Sequence, residues 1–390
     1  MKFLDVKLPN HNYPIIWNND FSSLAKLIKE KTANGKHFLI TNNTLFNIYE
    51  NEIHQIFGNC HILTPLEDGE SHKNFTTITK LADELLQYGA NRKSILWAFG
   101  GGVIGDITGF LASIYMRGIS FYQIPTTLLS MVDSSVGGKT GVNLLHGKNM
   151  IGTFHQPEGV FIHVNFLKTL SEREFRCGLS EVIKSALLVD QNFFAYMEGQ
   201  IQLINDHISF VKDHEIYFLN YETRNDFKLN ESILEELSFR SVQVKANVVI
   251  EDEKESGRRA ILNLGHTLAH ALESFYNYTN IKHGEAVSVG IIFAALLSLK
   301  KGLHQKDFQR IKNMIQKLHL IHDFNDLLKI NPLLNPKDNL NILIDLMKGD
   351  KKNTDESIRF ILLQEIGKTM SPEAVDIPII WKTLKEFTCL

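Results

Sequence analysis

From Lys36 onward, short apolar runs alternate with amphipathic stretches, and this pattern predicts strands separated by helices. His37-Phe-Leu-Ile-Thr reads as a buried strand, with a helix after Asn43. His61-Ile-Leu-Thr is the next apolar run, followed by a helix from about Asn74 to Tyr88. Ser94-Ile-Leu-Trp-Ala-Phe gives a third strand, then come three glycines and a helix from Asp106 to Tyr115. Ser120-Phe-Tyr-Gln-Ile gives a fourth strand. Strands spaced by helix-length segments imply βαβ units and a largely parallel sheet. After about Leu167 the strand signal nearly vanishes. Ser171-Glu-Arg-Glu174 is a capping-box pattern opening a helix through about Leu188, and Glu285 to Lys300 and Gln305 to Leu318 read as helices. The expected fold class is α/β + α, with a parallel-sheet domain over 1–168 and an α-helical domain over 169–390. For the polar region from Gly199 to Ser238, a helical excursion and an irregular loop both stay open.

Composition narrows the function classes. The 390 residues suit two or three domains, and 44% hydrophobic with 22% charged residues is a globular balance. A net charge of −3 and a pI near 6.6 give no global case for binding nucleic acid or an anionic membrane. Attraction for an anion must therefore come from locally gathered Lys and Arg. Met1-Lys-Phe-Leu-Asp-Val-Lys lacks the apolar core of a signal peptide, and no apolar run reaches the ~18 residues of a membrane helix. Cys60, Cys177 and Cys389 are scattered and odd in number, so a reducing cytoplasmic location is expected.

Gly100-Gly101-Gly102-Val-Ile-Gly105 satisfies G-x-G-x-x-G after a strand and before a helix. Glycines there let the backbone approach a pyrophosphate, and the helix amino terminus supplies N–H donors. A plain βα turn is the competing reading. The ribose-binding acid expected ~20 residues on is missing, because no Asp or Glu lies between Asp106 and Asp133; Glu70 and Lys73 are substitutes. Gly137-Gly138-Lys139-Thr140 is not a P-loop, since Asp133 stands where that motif needs its first glycine.

His266 and His270 lie one helical turn apart, and His283-Gly-Glu285 follows. Imidazoles so spaced, completed by a carboxylate, suit Zn²⁺ or a similar ion in an open catalytic shell. Glu181 is the natural third ligand, because it sits among Leu179, Val182, Ile183 and Leu187, where a lone carboxylate is costly to bury. A simple i, i+3 pair with Lys184 is the alternative.

Read in order, these segments resemble the 3-dehydroquinate synthases, of the sugar-phosphate cyclases. The similarity runs from Glu70 to about Ala295 and resumes near Asp350, and Val132-Asp-Ser-Ser-Val-Gly-Gly-Lys-Thr-Gly-Val-Asn143 is its most specific string. The resemblance implies a Rossmann-like NAD-binding domain, an α-helical metal and substrate domain, and a homodimer. It implies Zn²⁺ or Co²⁺ on Glu181, His266 and His283. It implies NAD⁺ contacts at Glu70, Lys73, Gly101, Gly102, Val103, Asp106, Thr126, Thr127, Asp133, Lys148 and Thr169. The implied substrate is the anionic sugar phosphate 3-deoxy-D-arabino-heptulosonate 7-phosphate. Its carboxylate maps to Lys139, Asn149, Lys245 and Arg259. Its phosphate maps to Asn263, His270, a lysine of the Lys351-Lys352 pair, and Arg117 from a partner subunit. The implied reaction is transient oxidation by NAD⁺, elimination of phosphate, return of the hydride, and aldol closure of a carbocycle. His270 and Lys184 would handle or orient protons. A sibling sugar-phosphate cyclase is one alternative, but its substrate lacks the carboxylate; a metal-dependent NAD polyol dehydrogenase, with a similar glycine turn and metal helix, is another, but it would release NADH and need no phosphate site. Asn42 departs from the family's usual Asp, and Leu268-Ala269 from its usual Phe-Gly.

Overall fold

The computed structural model describes residues 2–18, 20–31, 36–58, 60–145, 147–213, 230–349 and 356–389. The chain separates into two compact units: Met1–Ser171 with Val211–Lys254, and Glu172–Phe210 with Glu255–Leu390.

The first unit is built on strands β1 (Lys2–Lys7) and β2 (Asn12–Trp17), helix α1 (Phe21–Lys31), β3 (His37–Ile40), α2 (Asn43–Phe57) and β4 (His61–Ile62). It continues through α3 (Phe75–Gln87), β5 (Ile95–Gly100), α4 (Gly102–Ile114), β6 (Ser120–Pro125), the hairpin β7 (Lys139–Leu144) and β8 (Gly147–Phe154), and β9 (Val160–Ile162). Seven strands form one sheet in the order β1-β2-β9-β6-β5-β3-β4. Only β1 runs antiparallel to its neighbour. The central strands β3 and β5 are apolar almost throughout because helices cover both faces of a parallel sheet. Ile78, Leu81 and Leu85 of α3 and Ile104, Ile107 and Leu111 of α4 share a buried cluster with Leu96, Ala98 and Phe121. Each such aliphatic side chain contributes about 1.5–3 kcal/mol by leaving water.

The chain steps outward from β3 to β4 and in the opposite direction from β5 to β6. With right-handed crossovers, α2 and α4 then cover opposite faces, and the carboxyl ends of β3 and β5 flank a topological switch point. The glycine turn stands at that point. Gly138-Lys139 opens a β-hairpin, not a helix, in keeping with the rejected P-loop.

The second unit contains α5 (Glu172–Val189) and α6 (Gln191–Asp213). The chain then returns to the first unit with α7 (Glu231–Glu251). The expectation of one continuous helical domain over 169–390 is therefore corrected: α7 docks on the sheet unit. Trp17 Nε1 donates to Ser238 Oγ at 2.9 Å, and Lys2 pairs with Glu236 at 2.6 Å. The open question at 199–238 resolves to helix over 199–213 and 231–238, while 214–229 lie outside the described residues. The second unit resumes with α8 (His266–Phe275) and α9 (His283–Leu299), followed by helices at Gln305–Lys317, Phe324–Ile330, Leu340–Lys348 and Ile377–Phe387. Two small antiparallel ladders, near 357–376 and 363–369, escaped the sequence reading. Helix α9 is buried from Gly284 to Ala295, so it forms the centre of this unit. Among the described residues no helix is long and apolar enough to cross a membrane.

Candidate active site

In the second unit three polar side chains converge from three helices. Glu181 stands mid-way along α5 between Ser180 and Val182, and is 1% exposed. His266 is the first residue of α8, after Gly265, whose φ of +80° suits glycine. His283 is the first residue of α9. Close helix crossings bring them together. A Cβ on Gly284 would lie 2.2 Å from the Cys177 carbonyl oxygen, and one on Gly290 would lie 2.0 Å from that of Gly265. Only glycine lets α9 press on α5 and α8 at these points.

One donor atom from each of Glu181, His266 and His283 falls within a 4.8 Å group. Glu181 Oε1 is 3.7 Å from His266 Nε2 and 3.5 Å from His283 Nε2. Lys184 forms an ion pair with Glu181, so the i, i+3 pairing coexists with the cluster. The Leu264 carbonyl lies 3.1 Å from His266 Nδ1, which fixes the ring with Nε2 toward Glu181. Burial, with the Lys184 ammonium nearby, pushes the His266 pKa down to about 3. Burial acts the same way on His283, but hydrogen bonds to Glu181 and Glu273 override it and raise that ring to about 10. His266 thus offers a lone pair at neutral pH, whereas His283 would have to give up a proton before it could ligate an ion. Two imidazoles and one buried carboxylate with open positions fit a catalytic divalent ion such as Zn²⁺. His270 is exposed, with its ring 5.4 Å from that of His266. Asn263 donates to Glu255 at 3.2 Å, and Arg259 is 2% exposed.

In the first unit, Gly101 caps α4 with no capping side chain, so the first amides of that helix can meet an anion. A Cβ on Gly101 would lie 3.1 Å from Thr127 Cγ2, and one on Gly102 3.0 Å from Ser134 Oγ. Val103 follows them on α4 and packs, partly buried, against the core cluster of this unit, and Thr126 N donates to Gly100 O at 3.0 Å. The uncapped helix and the cradle of small residues fit a dinucleotide pyrophosphate.

Lys73, 3% exposed, donates to Asp106 and to Asn149, each at 2.5 Å. Burial raises the Asp106 carboxyl above its ordinary value, against the pull of Lys73. Glu70 accepts from Asn143 at 2.8 Å, and Asn143 also receives the Asn149 amide at 2.9 Å. Four residues assigned by resemblance thus share one network with Asn143, which sequence reasoning did not single out although it closes the most specific string. Lys245 Nζ donates to both the side chain and the carbonyl of Asp133 at 2.7 Å. Thr169 bonds Tyr49 at 2.6 Å, a second residue the sequence did not flag. Lys139 is exposed and Lys148 half-buried. Arg117 is exposed with a left-handed φ of 70°. Lys351 and Lys352 lie outside the described residues.

The comparisons with known proteins bear on both units. The pattern described as 3-dehydroquinate synthase N-terminal matches residues 63–177, and that described as 3-dehydroquinate synthase C-terminal matches 178–353. A 3-dehydroquinate synthase of Hydrogenovibrio crunogenus is 40% identical over 392 residues, covering 99% of this chain and 100% of that protein. One from Dictyoglomus thermophilum is 40% identical over 387 residues, covering 99% and 98%. Among solved structures, ValA, a 2-epi-5-epi-valiolone synthase from Streptomyces hygroscopicus with NAD⁺ and Zn²⁺ bound, has a TM-score of 0.79 at 24% identity, covering 98% of each chain. At that identity the likeness shows a shared fold.

Proposed function

The chain belongs to the 3-dehydroquinate synthase family, and from that premise we propose that it is a carbon–oxygen lyase. It converts 3-deoxy-D-arabino-heptulosonate 7-phosphate into 3-dehydroquinate and phosphate, within the shikimate route to aromatic amino acids. The observation that carries the reading is the meeting of Glu181, His266 and His283 within 4.8 Å around a buried carboxylate. In this reading those three residues hold Zn²⁺ or Co²⁺. Gly101, Gly102, Val103 and Asp106, with Glu70, Lys73, Thr126, Thr127, Asp133, Lys148 and Thr169, hold NAD. When bound, NAD⁺ gives and retrieves the oxidising equivalents, and the ion acidifies the substrate hydroxyl that is oxidised.

The chain's own groups do the rest. Lys139, Asn149, Lys245 and Arg259 bind the substrate carboxylate, while Asn263, His270 and a lysine of the 351–352 pair bind its phosphate. Lys73 fixes the Asn149 amide oxygen, so the Asn149 NH₂ is the end that donates. Lys184 keeps a proton at Nζ beside Glu181, and the exposed His270 imidazole can hold or pass one. Positioning and fixed charge supply most of the catalysis.

A cytoplasmic homodimer, with Arg117 serving the partner's phosphate site, completes the reading. The homodimer is supported by the left-handed Arg117, by exposed Ile114 and Met116 beside it in sequence, and by exposed Met150, Ile151 and Phe154 on β8.

Purified protein is incubated with NAD⁺, Co²⁺ and the heptulosonate phosphate. Phosphate release without lasting NADH is the expected result. Steady NADH accumulation would instead support a polyol dehydrogenase, and an absence of phosphate would overturn the lyase reading.

A further inference from the structure

Glu273 has no part in the reading above, yet it is 5% exposed on α8, the helix that begins at His266. Its neighbours Leu268, Ala269, Ala271 and Leu272 are buried and apolar. Holding a carboxylate there costs several kcal/mol unless a cationic or strongly polarised group faces it. One such group is His283. Glu273 Oε2 lies 3.5 Å from His283 Nδ1, while the opposite ring nitrogen, Nε2, lies 3.5 Å from Glu181. The imidazole is therefore suspended between two carboxylates, one within the donor cluster and one outside it.

The backbone of His283 is fixed separately. Glu285 accepts from the Lys282 amide at 2.8 Å, and Arg173 of α5 grips both Glu285 oxygens at 2.6 and 2.8 Å. Arg173 also donates to the Asn280 carbonyl at 2.6 Å. These bonds set where α9 begins, but they do not touch the ring. His266 already has its outer nitrogen oriented by a carbonyl. Among the described residues the outer nitrogen of His283 meets no backbone carbonyl, and Glu273 stands where such a partner would be.

We infer that Glu273 is the positioning residue of the metal centre: it accepts from His283 Nδ1–H, fixes the tautomer and rotation that aim Nε2 at the ion, and makes the imidazole a stronger donor. The inference rests on the reading of Glu181, His266 and His283 as the ligand set. It adds to that set a residue outside the 4.8 Å group, carried on the same helix as His266. Helix α8 thereby supplies one ligand from its first turn and the support of another from its last.

The test is metal binding by the whole apoprotein, not turnover. Co²⁺ is titrated against a competing chelator, and the ion's visible absorption is recorded for the parent, Glu273→Gln, Glu273→Leu and Glu181→Gln. Loss of an outer-shell carboxylate typically weakens binding about 10–100-fold. Glu273→Gln, which keeps an acceptor oxygen but loses the charge, is expected to lose less affinity than Glu273→Leu, and both are expected to shift the Co²⁺ spectrum. Thermal unfolding of the apoproteins separates positioning from packing. A lowered melting temperature with unchanged Co²⁺ affinity and spectrum overturns the inference, as does parental affinity in both Glu273 variants. Should Glu273→Leu fail to fold, the near-isosteric Gln variant decides. Failure of the parent itself to bind Co²⁺ removes the ligand set. Parental binding that Glu181→Gln abolishes and Glu273→Gln leaves unchanged removes only the role of Glu273.

Discussion

Replacing Gly284 by alanine tests how the metal-binding helices are held. The added Cβ would lie 2.2 Å from the Cys177 carbonyl oxygen and 2.4 Å from its Cα. Comfortable non-bonded contact begins at ~3.5 Å, so α5 and α9 must separate by more than about 1 Å. Both obstructing atoms are backbone, so no side-chain rotation can relieve the clash. Overpacking usually costs about 1–3 kcal/mol, and a rigid obstacle points to the upper end. At about 2–4 °C per kcal/mol for a unit of this size, the melting temperature falls by roughly 6–12 °C. Gly284 directly follows His283, and Cys177 sits one turn before Glu181, so the separation also pulls two donors apart. Co²⁺ affinity is expected to drop at least about tenfold. Gly199→Ala is the internal control. Gly199 lies inside α6 with nothing within 4 Å of its added Cβ, so the same substitution there stabilises by about 0.5–1 kcal/mol. Calorimetry and the Co²⁺ titration read both variants. Parental melting and affinity in Gly284→Ala would refute the close-crossing account.

Lys73→Met leaves Asp106 without its cation and is expected to destabilise by about 3 kcal/mol, with Asp106→Asn in the same background restoring most of it. Strict additivity of the two changes in urea unfolding would refute the coupling. Burial lowers the pKa of both His163 and His207 to about 4, with Lys168 adding to the effect at His163. The unfolded chain therefore binds these protons first. Their stabilisation is complete above the ordinary 6.5 and declines as pH falls toward 4, by up to about 3 kcal/mol each. His207→Phe, which keeps a ring against Phe175, should flatten its share of the slope in urea midpoints between pH 6.5 and about 5. An unchanged slope would refute that assignment.

Much of the sheet unit was legible because β3, β5 and β6 are short apolar runs, and the glycine turn marks a strand-to-helix junction. Helix α4 begins at Gly102, four residues before the expected start, because the glycines that admit a ligand also form its first turn. Strands β1 and β2 went unread because their alternation is half exposed and β1 pairs on only one side. The return of α7 to the sheet unit could not be read from local periodicity. Its buried positions run from Ile233 through Val249 without a single apolar stripe, and its partners Lys2 and Trp17 are more than two hundred residues away. At the site, Glu181 stood out as a lone acid in an apolar stretch, and the histidines by their spacing. Glu273, Asn143 and Tyr49 gave no such sign, because a carboxylate, amide or phenol becomes informative only once its neighbour is known.

The interleaving of the two units sets an order for biosynthesis. Trp17 waits for Ser238, 221 residues later, before its indole can be satisfied. At about 5–20 residues per second on the ribosome, that interval is roughly 10–45 s. During it, the emerging parallel sheet lacks the helix that covers part of it, and the second unit begins to appear before the first is complete. Nascent chains halted shortly after Ile162 would expose this unfinished surface, whereas those extended past Lys254 would carry every segment of the first unit.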